Sequence, residues 1–171
     1  MEIGTDSGLV ALCCLHARAK RVVATDVNPN ALKNARYNAE MLELLDRLET
    51  RRVPLEDSSA FAVLQPDERF DLIISNPPWE DQYPQSIDEY ALCDHGFLLL
   101  DSLLSQLADH LNPSGKALLT YSNVTAIRKA IELGPKYNLH VQVLHDREIN
   151  ELPENFLPGM LLEFTCSTSS P

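Results

Sequence analysis

Apolar and polar positions along this chain fall into two kinds of segment, compact apolar runs and longer amphipathic stretches. Apolar runs predict strands at residues 22–25, 70–75, 116–121 and 160–165, and alternation of apolar and polar residues predicts one at 140–144. Residues 2–3, as the end of a strand, and residues 49–53 are further strand candidates. Helical spacing of the apolar positions predicts helices at residues 9–19, 29–45, 58–64, 94–111 and 125–137. Strands that alternate with helices are typical of βαβ units, so the pattern predicts an α/β fold with a mainly parallel sheet.

Start and stop signals refine this picture. Asn28 and Pro29 together favour a helix start, with Asn at the N-cap and Pro in the first turn. Gly134-Pro135 predicts an early end to the helix that begins at residue 125. The last two strands have no predicted helix between them, so we expect an antiparallel end to the sheet. The sequence thus predicts one domain over residues 1–166, followed by a flexible polar tail at 167–171.

A glycine loop lies between the first strand and the first helix, with the sequence EIGTDSG at residues 2–8. Gly4 and Gly8 would let the backbone turn tightly and approach a ligand closely. Asp26 ends the next strand, where a carboxylate can accept hydrogen bonds from both hydroxyls of a ribose. A plain strand-to-helix turn is the alternative, but the position of Asp26 favours a nucleoside site.

The charge of this loop indicates which nucleoside it suits. A dinucleotide fingerprint would have a middle glycine where this chain has Asp6, and a carboxylate there would repel a pyrophosphate. Glu2 and Asp6 instead suit a ligand with cationic groups, such as the sulfonium and ammonium of S-adenosylmethionine (SAM). Charge complementarity therefore favours SAM, with NAD as the less favoured alternative.

A second motif, Ser75-Asn76-Pro77-Pro78-Trp79, directly follows the strongest predicted strand. Ligands of open α/β sheets lie beyond the carboxyl ends of the strands. The two prolines remove two N–H donors, so carbonyl oxygens and the Asn76 amide can accept both hydrogens of a planar –NH2 group. Trp79 can stack on that group. The alternative is a rigid turn with a buried tryptophan.

Three segments, residues 2–8, 24–32 and 70–79, carry a family resemblance. They resemble class I SAM-dependent methyltransferases of the HemK-like group, which modify amino nitrogens. The resemblance implies a Rossmann-like fold with a seven-stranded, mostly parallel sheet, an antiparallel last strand and a first strand truncated at the N-terminus. It also implies methyl transfer to a glutamine amide, as in translation release factors, with adenine or guanine amines of RNA or DNA as the alternative. A non-catalytic SAM-binding subunit is a third reading.

The resemblance also assigns candidate site residues. Those for the cofactor are Glu2, Gly4, Thr5, Gly8, Asp26, Val27 and Asp57, and those for catalysis are Asn76, Pro77, Pro78 and Trp79. Glu2, Gly4 and Gly8 would line the methionine part of SAM, Asp26 the ribose, and Val27 and Asp57 the adenine. Two departures from the family pattern are Asp6 in place of glycine and Trp79 in place of tyrosine or phenylalanine.

Composition limits the classes of molecule that this protein is expected to bind. Lys and Arg number 14 against 25 Asp and Glu, a formal net charge of −11, so unaided binding to nucleic acid is disfavoured and a protein substrate is favoured. Whether a small partner protein activates this one is left open. The four cysteines form no CxxC pair, which predicts no metal site and free thiols in a reducing cytoplasm. No apolar run reaches the roughly 18 residues of a membrane span.

Overall fold

The computed structural model describes residues 1–57 and 59–167, which form a seven-stranded sheet with helices packed on it. The strands are β1 (Glu2–Ile3), β2 (Val22–Asp26), β3 (Leu48–Arg52), β4 (Phe70–Ser75), β5 (Leu111–Asn123), β6 (Leu139–Val143) and β7 (Asn155–Cys166). The helices are α1 (Leu9–His16), α2 (Pro29–Met41), α3 (Leu98–His110) and α4 (Val124–Lys136). No helix of the described residues is long and apolar enough to cross a bilayer.

The strand order is β3-β2-β1-β4-β5-β7-β6. Strands β1 to β5 pair in parallel, whereas β7 is antiparallel to both β5 and β6. This confirms the predicted mainly parallel α/β sheet with an antiparallel end. The chain runs outward from β1 to β3 and then crosses to β4, so the direction of winding changes between β1 and β4, the place where such sheets bind ligands.

Two apolar clusters hold the layers together. The larger one packs helices α3 and α4 on the sheet, with Leu103, Leu107, Ile73 and Ile127 fully buried. The smaller one packs α1 and α2 against β2 through small residues such as Ala35. Alanines on α2 let that helix approach the glycine loop closely, which matters for the site described below.

Several helix boundaries differ from the prediction. Helix α1 ends at His16 rather than at residue 19, because Arg18 takes a left-handed φ of 74° and the chain turns there. Helix α2 ends at Met41, four residues before the predicted end. Helix α3 begins at Leu98 instead of residue 94, because Gly96 and Phe97 both have positive φ.

Two further predictions about helices were wrong. Residues 59–64 form turns rather than a helix, while Ser58 lies outside the described residues. Helix α4 continues through Pro135 to Lys136, although Gly134-Pro135 predicted an early end. Packing explains the continuation: a Cβ on Gly134 would lie 2.2 Å from Val141 Cγ2, so the last turn of α4 sits directly on β6.

Candidate functional site

Strand register brings the two sequence motifs to one edge of the sheet. Ile3 pairs with Thr25 on one side and with Ser75 on the other. Gly4, Asp26 and Asn76 each follow that row, on three neighbouring strands. Asp26 and Asn76 are therefore about two strand spacings apart, roughly 10 Å. The geometry places the predicted nucleoside loop and the predicted amine site on either side of the β1–β4 switch point.

The glycine loop is anchored to β2. The N–H groups of Gly4 and Thr5 both donate to the Thr25 carbonyl, at 2.9 and 3.0 Å. Gly4 has a φ of 71° and open space where a Cβ would stand. Gly8 has a φ of 81°, and a Cβ there would lie 2.8 Å from Ala35 Cβ. Gly4 thus leaves room for a ligand, while Gly8 is required by packing against α2.

Glu2 supports this loop from behind. Its side chain is buried, and Oε2 accepts hydrogen bonds from Thr5 Oγ1 at 2.5 Å and from the Ala11 N–H at 3.1 Å. Burial raises the pKa of the Glu2 carboxyl to about 6, partly offset by those two hydrogen bonds. Glu2 therefore ties the loop to α1.

Asp26 is held in place by backbone donors. Its Oδ1 accepts from the Asn28 N–H at 2.8 Å and its Oδ2 from the Asp6 N–H at 3.0 Å. Burial raises the pKa of Asp26. A carboxylate has about four acceptor sites, so these two bonds leave lone pairs for a ligand. Asp26 is only partly buried, and its carboxylate is oriented before any ligand arrives.

The structure explains why Asp can replace glycine at position 6. Asp6 has a φ of 46°, in the left-handed region that favours glycine but that Asp also visits. Its backbone N–H is one of the two donors that hold the Asp26 carboxylate, and Asp6 itself is exposed. The substitution therefore keeps the loop conformation and adds a negative charge at the site.

The remaining two cofactor candidates, Val27 and Asp57, lie on the same edge of the sheet. Val27 is half-buried directly after β2. The Val53 N–H donates to the Asp26 carbonyl at 2.9 Å, which brings the loop after β3 beside Asp26. Asp57 is exposed in that loop, and its Oδ1 accepts from the Ser59 N–H at 3.3 Å. The assignment of both residues to the adenine stays a prediction.

The Asn-Pro-Pro-Trp segment projects from the end of β4. Asn76 is exposed, and its side chain forms no hydrogen bond with another described residue, so its amide is available to a ligand. Pro77 and Pro78 are buried, and Trp79 is half-buried against the larger apolar cluster. Packing thus fixes the two prolines, while Asn76, which precedes them, is exposed.

Residues 79–94 form a loop, called here the 79–94 loop, that is closed at its neck. The N–H groups of Trp79 and Glu80 both donate to the Leu92 carbonyl, and the Asp94 N–H donates to the Glu80 carbonyl at 2.8 Å. The carboxylate of Asp94 is buried and accepts from the Leu99 N–H at 2.8 Å, which caps α3. The neck therefore joins the Asn-Pro-Pro-Trp segment to α3.

The far side of the 79–94 loop contacts Asn28, which lies two residues after Asp26. Asn28 Nδ2 donates to Asp88 Oδ1 at 2.9 Å, while Asn28 Oδ1 caps α2. The 79–94 loop thus connects the Asn-Pro-Pro-Trp segment to Asn28, close to Asp26. Sequence reasoning missed this contact, since no local pattern relates residues 60 positions apart.

A cavity of about 630 Å³ adjoins Trp79 beyond the ends of β4 and β5. We call it the acceptor-side cavity. It is lined by Trp79, Glu80, Asp81, Gln82, Phe97, Ser122, Asn123, Thr125 and Glu154. A second cavity of about 510 Å³, lined by residues such as His16, Lys20 and Arg47, lies at the opposite edge of the sheet and includes none of the predicted site residues.

Similar solved structures share this fold. The ribosomal protein L11 methylase of Lactobacillus delbrueckii subsp. bulgaricus has a TM-score of 0.70 at 20% identity, over 97% of this chain and 68% of that one. A methyltransferase of Pyrococcus furiosus has a TM-score of 0.66 at 25% identity, over 95% of this chain and 72% of that one. These likenesses confirm the predicted Rossmann-like methyltransferase fold.

Curated relatives support the sequence resemblance. The release factor glutamine methyltransferase of Rhodopirellula baltica is 33% identical over 138 residues, which are 74% of this chain and 45% of that protein. The tRNA1(Val) (adenine(37)-N6)-methyltransferase of Shewanella loihica is 31% identical over 127 residues, 73% of this chain and 52% of that protein. The chain spans about half the length of these two relatives. Residues 1–133 match the family described as Methyltransferase small domain, and the chain belongs to that family.

Proposed function

We propose that this protein transfers a methyl group from SAM to a planar amino nitrogen, and that the acceptor is a glutamine side-chain amide in a protein. One observation carries the proposal: strand register places Asp26 and Asn76 roughly 10 Å apart across the switch point of the sheet. The release factor glutamine methyltransferase of Rhodopirellula baltica supports the choice of acceptor. We place the methyltransferase domain at residues 1–166, in the cytoplasm, where the four free cysteines would stay reduced.

The residues at the glycine loop fit SAM. The Asp26 carboxylate has acceptor sites left for ribose hydroxyls, and Gly4 leaves open space beside the loop. Glu2, Asp6 and Asp26 make this edge negative, which suits the cationic groups of SAM and disfavours a pyrophosphate. In this proposal Gly4 lines the methionine part, in a loop that Glu2, Thr5 and Gly8 shape from behind, while Asp26 binds the ribose and Val27 and Asp57 the adenine. Bound SAM supplies an electrophilic methyl group.

The chain itself orients the acceptor. An amide nitrogen is a weak nucleophile because its lone pair is delocalised. Asn76 Oδ1 and the Pro77 carbonyl would accept hydrogen bonds from the two N–H groups of the amide and so aim its lone pair at the methyl carbon. Trp79 would stack on the amide plane. Pro78 keeps the segment rigid, since buried prolines restrict φ. Orientation of this kind lowers the barrier without a strong general base.

Substitution of Asn76 tests the mechanism. We expect Asn76→Ala to keep SAM affinity in calorimetry and to lower methyl transfer into a protein fraction by about 100-fold, as for other oriented hydrogen bonds. Asn34→Ala, at an exposed position on α2, is the matched control and should leave both quantities unchanged. Transfer by Asn76→Ala at the wild-type rate would contradict the proposal.

A nucleic-acid amine is the second candidate acceptor. The similarity to the tRNA1(Val) (adenine(37)-N6)-methyltransferase of Shewanella loihica favours it, and the net charge of −11 disfavours it unless a basic partner supplies RNA affinity. Labelled SAM, incubated with protein and with RNA fractions of a cell extract, separates the two acceptors. Tight SAM binding without any labelled product, with or without an activating partner, would instead favour a non-catalytic SAM-binding subunit.

A further inference from the structure

The acceptor-side cavity has an acidic lining. Glu80, Asp81 and Glu154 each contribute a carboxylate, and none of the described residues that line it is basic. Trp79 is one wall, so the cavity lies beside the motif that would hold the acceptor nitrogen. A side chain of the substrate next to the acceptor would therefore enter a negative environment.

Two of these three carboxylates are unused by the fold. Asp81 Oδ1 accepts from the Gly96 N–H at 2.6 Å and lies 3.1 Å from His95 Nδ1, so Asp81 holds the loop before α3. Glu80 and Glu154 are exposed, and neither side chain forms an ion pair or hydrogen bond with another described residue. Their charges are left for a partner.

The remaining lining suits a cation with an apolar stem. Trp79 and Phe97 offer aromatic surfaces, which attract a guanidinium or ammonium group and pack against methylene groups. Thr125 lies in the first turn of α4, whose N-terminus contributes about half a positive charge. That contribution is smaller than the charges of Glu80 and Glu154, so the cavity remains negative.

We propose that the acceptor-side cavity binds an arginine or lysine side chain of the protein substrate, close in sequence to the methylated amide. Glu80 and Glu154 would pair with its charge, and Trp79 and Phe97 would enclose its stem. This inference rests on the proposed function, since it takes the acceptor to be a protein segment. It adds the charge of that segment, which the relatives do not specify.

Binding of labelled peptides tests the inference without methyl transfer. The probes are three fluorescein-labelled peptides with a central glutamine, flanked on both sides by arginine, by alanine or by glutamate. By fluorescence anisotropy we expect the arginine peptide to bind about tenfold more tightly than the alanine peptide. In the Glu80→Gln/Glu154→Gln double variant the difference should fall to about twofold or less. Glu40→Gln, an exposed change of the same kind on α2, should preserve it.

Three results would overturn the inference. The first is equal binding of the arginine and alanine peptides, or no measurable binding of either up to about 1 mM. The second is an arginine preference that survives in the double variant, and the third is tighter binding of a single-stranded RNA than of the arginine peptide. Failure of the proposed function is a separate result, because it appears as absent methyl transfer while the arginine preference and its loss remain measurable.

Discussion

Gly8 occupies a position where neither the backbone conformation nor the surroundings accept a side chain. Its φ is 81°, and a Cβ would lie 2.8 Å from Ala35 Cβ. Gly4 shares the left-handed φ but has open space around it. The two glycines of one loop thus differ in the physical reason for their presence, which a pair of substitutions can separate.

We expect Gly8→Ala to lower the free energy of unfolding by more than Gly4→Ala does. The left-handed conformation costs about 1–2 kcal/mol at either position, whereas overpacking adds about 1–3 kcal/mol at Gly8 alone. Urea denaturation followed by circular dichroism measures both values. Equal losses at the two positions would show that α2 moves away from the loop at little cost.

The places of the candidate site residues in the sheet could be predicted better than their contacts. Asp26 and Asn76 follow apolar strands, so their place at the sheet edge is encoded locally. The inward orientation of Glu2 depends on Ala11 of α1, and the link from Asn28 to Asp88 joins residues 60 positions apart. Such contacts depend on tertiary packing, which single-sequence patterns do not report.

At the scale of elements, the 79–94 loop joins the two halves of the candidate site. Backbone hydrogen bonds between Trp79, Glu80 and Leu92 hold its neck, whereas a side-chain hydrogen bond from Asn28 to Asp88 links its far side to the start of α2. An exposed hydrogen bond contributes about 0.5–1.5 kcal/mol. The far side should therefore open more readily than the neck.

We expect Asp88→Ala to speed amide hydrogen exchange around residues 87–91 by about twofold to tenfold, with little change in the global free energy of unfolding. The substitution removes the acceptor for Asn28 Nδ2 and leaves the cap that Asn28 provides to α2 intact. Asp67→Ala, at an exposed turn position, is the control. Unchanged exchange in Asp88→Ala would show that packing rather than this bond holds the loop.

Element types were predicted well and several boundaries were not. Apolar runs identified β2 and β4 because buried parallel strands are continuously apolar, whereas β6 was identified by its alternation of apolar and polar residues. The position of β7 between β5 and β6 depends on long-range pairing, which no local pattern contains. The start of α3 depends on the hydrogen bond that Asp94 accepts from the Leu99 N–H. The continuation of α4 through Pro135 depends on packing against β6.

At the scale of the whole molecule, several carboxyl groups give the fold a pH dependence. Burial raises the pKa of Glu2 to about 6, and it raises the pKa values of Asp26 and Asp94 as well. Glu68 behaves in the opposite way, because its hydrogen bonds with Arg51 lower its pKa to about 2. The first three groups oppose folding when they ionise, whereas Glu68 favours folding when it is ionised.

The contribution of these carboxyl groups to stability is greatest near pH 5 and falls toward pH 7, whereas burial of the Met1 ammonium lowers its pKa to about 6 and acts in the opposite direction. The folded protein binds more protons than the unfolded chain between the unfolded pKa of Glu2, 4.5, and its folded value of about 6, so stability decreases as the pH rises through that window. For Glu2 the loss is about 2 kcal/mol. Self-repulsion among the net −11 charges acts in the same direction. Below pH 4.5 the ionic contribution of Glu68 is lost progressively.

Urea denaturation of the wild type and of Glu2→Gln at about pH 5 and pH 7 measures the effect. Between these two pH values Glu2→Gln should lose about 1 kcal/mol less than the wild type, since glutamine does not ionise and the unfolded Glu2 carboxyl is already largely ionised at pH 5. Glu40→Gln removes an exposed charge on α2 and should keep the wild-type difference in stability between the two pH values. The same difference between pH 5 and pH 7 in Glu2→Gln as in the wild type would show that ionisation of Glu2 does not weaken the fold.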